Sequence, residues 1–269
     1  MTTSVALEVI PDAELADAAT VRVLVDIDGS SRHLTLDTGG ATSGLRAEDV
    51  PAWMTAVARE RPGGRGAFAP GGATRQVRGE VVTVGDLRVP GLMFDVEEDP
   101  AARSILGLDV LARHRLDMRF GRGLLEFDGD AAVAQRRPLI LSAHGHPFVH
   151  ATWDAHGVEA DVLWDSGADV TVIDQAFAAR HALLFESLGA ADAGDARGAS
   201  RRVKLARMAA VTIGGRSFPP STAAITPLTG IQRPGEPRLD VILGMPVLRR
   251  ADWTLHLAEG WWGYPSPSA

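Results

Sequence analysis

The chain has 269 residues, 45% of them hydrophobic and 23% charged; these are ordinary globular values and exclude a wholly disordered protein. No apolar run approaches the ~20 residues needed to span a bilayer, and a net charge of -7 argues against nucleic acid or an anionic membrane as the main partner. Cysteine is absent, which excludes disulfides, thiolate metal sites and cysteine nucleophiles; with Lys204 the only lysine, a Schiff-base enzyme would have one candidate.

In chain order, strands dominate. Val21 to Ile27 alternates apolar and polar residues, Asp28-Gly29 supplies a turn, and Leu34 to Leu36 resumes the alternation, which predicts a hairpin. Ala47 to Arg61 is a helix candidate with Pro51 near its start. The glycine-rich Arg61 to Thr74 has neither period and reads as a mobile loop or hairpin tip. Val81 to Val84 and Leu87 to Val89 flank Gly85-Asp86 as a second hairpin, and a short helix is expected after Gly107. Leu116 to Phe120 and Leu124 to Phe127 form a third hairpin, followed by a linker from Asp128 to Pro147.

The series then repeats. Phe148 to Trp153 and Val158 to Trp164 flank Ala155-His-Gly157 as a hairpin. Asp174 to Leu183 reads as a helix with Asp174 as N-cap. Leu188 to Ser200 is a second loop or hairpin tip, and a short helix is expected after Gly244.

The repeat is quantitative. Gly29 and Gly157, Asp37 and Asp165, and Gly39 and Gly167 are each 128 residues apart. Val82-Thr-Val-Gly85 answers to Val211-Thr-Ile-Gly214 at 129, as does Pro90 to Pro219. Ile105-Leu-Gly107 answers to Ile242-Leu-Gly244, and Leu124 to Phe127 answers to Trp261 to Tyr264, both at 137. The added eight residues fall in a longer loop of the second half, Thr229 to Pro237. We read a duplication and fusion of two units of roughly 130 residues, bounded at 1–134 and 135–269. The expected fold is all-β: two pseudo-symmetric lobes with a few short helices and a cleft between them.

Each half ends an apolar strand in Asp-(Thr/Ser)-Gly. Glycine lets the backbone turn tightly, and the small hydroxyl of Thr38 or Ser166 can hydrogen-bond across to the other half. Two such loops meeting at a two-fold axis would place Asp37 and Asp165 in one site. Two close carboxylates do not both ionise cheaply, so one keeps its proton and the pair supplies an acid and a base together.

Leu34-Thr-Leu-Asp37-Thr-Gly-Gly-Ala and Val162-Leu-Trp-Asp165-Ser-Gly-Ala-Asp-Val-Thr-Val-Ile resemble the active-site loops of retropepsin-like aspartic proteases, as a single-chain tandem of two lobes. The second is the closer match, because retroviral enzymes carry a similar Asp-Thr-Gly-Ala-Asp followed by Thr-Val. Ile105-Leu-Gly107 and Ile242-Leu-Gly244 resemble the element that crosses behind each catalytic loop. Aspartic proteases are the familiar example of a carboxylate pair with split titration.

The resemblance implies two β-barrel lobes, Asp37 and Asp165 as the catalytic pair, and loop support from Thr38, Gly39, Ser166 and Gly167. Asp169 becomes a possible substrate contact. Phe68 to Arg78 and Ala193 to Arg202 become flap candidates closing over an extended peptide. It departs in two places: the only tyrosine is Tyr264, so a pepsin-type flap tyrosine is absent, and Ala41 stands where the second lobe has Asp169.

The expected activity is endopeptidase cleavage by a water activated between the aspartates, without metal or organic cofactor, on a peptide or protein substrate. A monomer suffices, since both aspartates lie on one chain. The alternative is an inactive peptide-binding pseudoprotease. No nucleic-acid or membrane partner is expected. Met1-Thr-Thr-Ser-Val-Ala-Leu-Glu-Val9 lacks a basic segment before an apolar stretch; with the missing cysteines, this suggests a cytoplasmic location.

Other features read more plainly. His144, His146 and His150 are read as solvated surface histidines rather than a metal site. Trp261, Trp262 and Tyr264 align with Leu124 to Phe127 and read as partly buried strand residues. Pro62-Gly-Gly-Arg-Gly66 lacks the Gly-Lys-(Ser/Thr) of a P-loop, and Arg201-Arg-Val-Lys204 is too short for a nucleic-acid patch.

Overall fold

A computed structural model describes residues 2–62, 68, 73–233 and 235–266. The predicted first hairpin is Ala19–Ile27 paired antiparallel with Ser30–Leu36, closed by Asp28 and Gly29 with φ of 48° and 87°. Positive φ at both central positions matches the twist of the flanking strands. In the second half Pro147–Trp153 pairs with Val158–Trp164 around a 3-10 turn, and Gly157 takes the left-handed conformation. Both second strands run out of the core directly into an aspartate.

The crossing elements repeat as well. Ile105–Leu106 lies parallel to Ser30–Leu36, pairing Leu36 with Leu106. Val241–Leu243 lies parallel to Val158–Trp164, pairing Trp164 with Leu243. Each is followed by a glycine that touches the loop carrying the aspartate: a Cβ on Gly107 would strike the Thr42 backbone, and one on Gly244 the Ala168 and Val170 carbonyls. Short helices Leu108–Leu111 and Met245–Leu248 follow, as predicted.

The two halves share a sheet. Arg115–Arg119 pairs antiparallel with Trp253–His256, Leu116 opposite Leu255, and Trp261–Gly263 and Leu124–Phe127 lie on either side. The strand Thr3–Pro11 joins this layer to the first lobe by pairing with both Leu124–Phe127 and Ala19–Ile27. One apolar cluster runs through both halves, from Leu7 and Val21 to Trp253 and Trp262. The chain is all-β with a few short helices and two lobes, as expected. Among the described residues no helix is long and apolar enough to cross a membrane.

The helix expected over Ala47 to Arg61 does not form. A single 3-10 turn covers Ala47–Asp49, and Val50 turns extended at φ -73°, ψ 117°. Pro51 explains the break: it lacks an N–H and pushes the preceding residue out of the helical region. The chain then enters the strand Ala56–Pro62, which pairs with Ala73–Val84. Between them, residues 63–67 and 69–72 of the first loop and flap candidate lie outside the described residues.

The second helix forms as Gln175–Arg180, with Asp174 accepting from the Ala176 and Phe177 amides. The linker is not featureless, since Arg137–Pro138 pairs with Trp261–Gly263 and Ile140–Leu141 with Pro147–Trp153. Trp261 and Trp262 are buried strand residues, as their alignment suggested.

Candidate active site

The two aspartate loops brace each other. Thr38 Oγ1 donates to the Trp164 carbonyl (2.9 Å), and Ser166 Oγ donates to the Leu36 carbonyl (2.6 Å). The Ser166 amide donates to Thr38 Oγ1 (3.0 Å), and the Thr38 amide to Ser166 Oγ (3.2 Å). Both hydroxyls are fully buried. This reciprocal set is the cross-lobe contact expected of the small hydroxyls, and it fixes the loops relative to each other.

The carboxylates then meet. Asp37 and Asp165 hydrogen-bond to each other. Asp37 Oδ1 also accepts from the Gly39 (2.9 Å) and Gly40 (2.7 Å) amides, whereas Asp165 Oδ1 accepts from the Gly167 amide (2.8 Å). Each carboxylate lies over the other loop's glycine. A Cβ on Gly167 would fall 2.5 Å from Asp37 Cγ, and a Cβ on Gly39 would land on the Asp165 carboxylate.

Gly167→Ala should therefore push Asp37 out of position. If the site is hydrolytic, turnover should fall about a hundredfold, the scale of a 1 Å misplacement. Paired kinetics and melting curves check this, because the loss should exceed any change in stability.

Burial raises both carboxyl pKa values. Asp165 is displaced well above the ordinary carboxylate range, first by desolvation and then by the charge of Asp37. Asp37 is raised too, again by desolvation, but the Gly40 and Gly39 amides and the Arg103 charge pull it back. Asp165 keeps partial exposure to the cleft, yet its surroundings still penalise a second charge. The pair thus holds on to a proton that two ordinary carboxyls would lose near neutral pH.

A cavity of about 300 Å³ opens over the pair. Its second-lobe wall is apolar, built from Phe148, Leu163, Ile231, Leu239 and Ile242. Its first-lobe wall carries Thr42, Asp95, Glu97 and Arg103. Asp169 lines the same cavity, and both of its oxygens accept from Arg103, at 2.8 and 2.5 Å. Arg103 was not singled out from sequence. It stands two residues before Ile105-Leu-Gly107, where the second half has Asp240, so no repeated motif marks it.

The second flap candidate is a hairpin, Phe185–Gly194 with Ser200–Met208, whose tip reaches the first lobe. The Arg103 amide donates to the Ala196 carbonyl (3.0 Å), Arg197 pairs with Glu97 (3.1 Å), and the Phe68 amide donates to Asp195 (2.8 Å). Of the histidines, His150 lies on an exposed strand position beside Asp161 and Glu159. His146 instead lines the cavity, which corrects its reading as a solvated surface residue. Among the described residues no group of three or more His, Asp or Glu side chains is placed to hold a metal.

With this geometry in place, comparison with known proteins is informative. Residues 149–247 match the family model described as aspartyl protease. The crystal structure of an aspartic proteinase from Irpex lacteus is similar over 99% of this chain and 98% of that one, with a TM-score of 0.62. The sequences are 15% identical, so that likeness concerns the fold. No curated protein matches the sequence. The family likeness thus covers part of the second half, and the fold likeness covers the whole chain with both lobes in one polypeptide.

Proposed function

We propose that the chain is an aspartic endopeptidase that works as a monomer on extended peptide segments. The observation that carries this reading is the buried pair Asp37–Asp165, held between mutually braced loops on the floor of a cleft. Asp37, stabilised as the anion by two amides, takes a proton from water as that water attacks the scissile carbonyl. Asp165 gives its proton to the carbonyl oxygen as charge develops there. The tetrahedral diol then collapses: the C–N bond breaks, the amine leaves with a proton from the pair, and the starting protonation state returns. Thr38, Gly39, Ser166 and Gly167 hold the loops in place, and Asp169 with Arg103 borders the substrate channel. The chemistry needs no metal or organic cofactor.

Cleavage of a diverse peptide library across pH ~3 to 7 tests the reading. Activity requires Asp37 ionised and Asp165 protonated, so it should rise through the pKa of Asp37 and fall through that of Asp165. Because both values are raised, the bell should sit above the range of two ordinary carboxyls. The specific rate should not change with enzyme concentration. A folded protein that binds peptides and cleaves none would make it a pseudoprotease.

A further inference from the structure

A second pocket lies apart from the cleft and shares no lining residue with it. Its volume is about 370 Å³, on the scale of small-molecule sites. Five arginines line it: Arg119, Arg122, Arg216, Arg249 and Arg250. A single acid, Asp252, lines it with them, in a chain whose net charge is -7.

The pocket forms where the two halves share a sheet. Arg119 ends the strand Arg115–Arg119, and Arg122 ends the 3-10 turn Phe120–Arg122 that follows. That strand pairs with Trp253–His256, which sets the turn beside the segment that follows the helix Met245–Leu248. The Gly121 amide donates to Asp252 Oδ1 (3.2 Å) across this junction. Arg216 comes from the strand Arg216–Phe218 and lies over the rings of Phe218 and Tyr264, 5.7 Å from each centroid.

Arg119 is paired with Glu126 (3.3 Å). Three of the others find backbone acceptors instead: Arg216 donates to the Arg250 carbonyl (3.0 Å), Arg249 to the Ala16 carbonyl (3.1 Å) and Arg250 to the Pro246 carbonyl (2.7 Å). Among the described residues none of these three is paired with a carboxylate. A carbonyl holds a guanidinium in place without cancelling its charge, and one such bond uses one of its five N–H donors. The end of the helix Met245–Leu248 favours a cation and accounts for Arg249 and Arg250. It does not account for Arg119, Arg122 and Arg216, brought to the same pocket from other segments.

The duplication does not account for the cluster either. At the spacings of the repeat, Arg119 answers to His256, Arg122 to Glu259, Arg216 to Leu87 and Arg249 to Ala112; only Arg250 meets another arginine, Arg113. The basic pocket therefore belongs to one side of the pseudo-symmetric molecule.

We propose that this pocket binds a small phosphate polyanion, a di- or triphosphate group whose oxygens are shared among several guanidiniums. A lone carboxylate is satisfied by one arginine fork, whereas a phosphate chain presents oxygens in several directions and carries several charges. The site is independent of the peptidase reading.

Sodium tripolyphosphate is the probe, titrated into the folded chain by calorimetry at constant ionic strength, with melting curves alongside. Binding should saturate at one site, and the melting temperature should rise with probe concentration, as for a ligand of the native state alone. Arg216→Gln and Arg250→Gln, each first checked by melting, should each weaken binding about tenfold, the scale of one charge-assisted hydrogen bond. Arg88→Gln, at an exposed strand position of the first lobe, should bind as wild type does. Citrate, a tricarboxylate, should bind about tenfold more weakly than tripolyphosphate.

No saturable binding by folded wild type would overturn the proposal. So would unchanged affinity in folded Arg216→Gln and Arg250→Gln, which would place the anion elsewhere. Equal affinity for citrate would overturn the assignment to phosphate.

Discussion

Asp37→Asn and Asp165→Asn are each expected to lower peptide cleavage about a thousandfold while the chain stays folded. On the proposed mechanism the two losses differ in kind: the first would remove the base that activates water, and the second the acid that protonates the carbonyl. A stability measurement separates this from general damage. Burial raises both carboxyl values, so the folded state binds protons more tightly than the unfolded chain. The stability so contributed is complete below the ordinary carboxylate range and is lost as pH rises through the raised values. Asparagine at position 165 has no proton to lose. The melting temperature of Asp165→Asn should therefore gain on wild type between mildly acid and neutral pH. A gap that stays constant with pH would mean that Asp165 is not the displaced group.

The second large effect lies beneath the site. Trp253 packs edge-on against Trp164 at 5.8 Å, stacks on Phe218 at 5.7 Å, and touches Trp262 and Tyr264. Its indole N–H donates to the Leu248 carbonyl at 2.7 Å. Trp253→Ala should cost about 3–5 kcal/mol and lower the melting temperature by about 10 °C. Trp164 immediately precedes Asp165, and its carbonyl is the acceptor for Thr38 Oγ1. Loss of its support should therefore lower kcat more than it raises KM. Trp253→Phe keeps a ring but not the indole N–H, and should lie between. Equal kinetics in wild type and folded Trp253→Ala would separate the aromatic cluster from the loop.

The paired aspartate loops were legible because a duplicated strand, turn and glycine set recurs at a fixed spacing. Chemistry could be read there because Asp, Thr or Ser, and Gly each do local work. His146 and Arg103 were not legible as site residues. His146 reaches the cavity wall and Arg103 grips Asp169, placements that depend on how distant segments pack and leave no periodic trace. The stretch Ala47 to Arg61 was misread for a related reason. Its alanines and charges suit a helix, but Pro51 stops the turn, and pairing with Ala73–Val84 supplies the hydrogen bonds. The docking of the second hairpin tip on Arg103 and Glu97 was equally invisible, since one lobe's loop meets the other lobe's strands.

The loop Thr229 to Pro237 belongs to the second half alone, and Arg103 grips Asp169 where the first half offers Ala41. In a symmetric homodimer a bound chain and the same chain turned end for end would meet identical walls. Here Ile231, Arg233 and Glu236 stand on one side of the pair, and Thr42, Asp95 and Glu97 on the other. The cleft accordingly has a polarity. On the proposed reading, a peptide laid through it from amino to carboxyl end would meet one order of surfaces and the reversed orientation another, so neither the favoured residues nor the favoured direction need mirror across the cut bond.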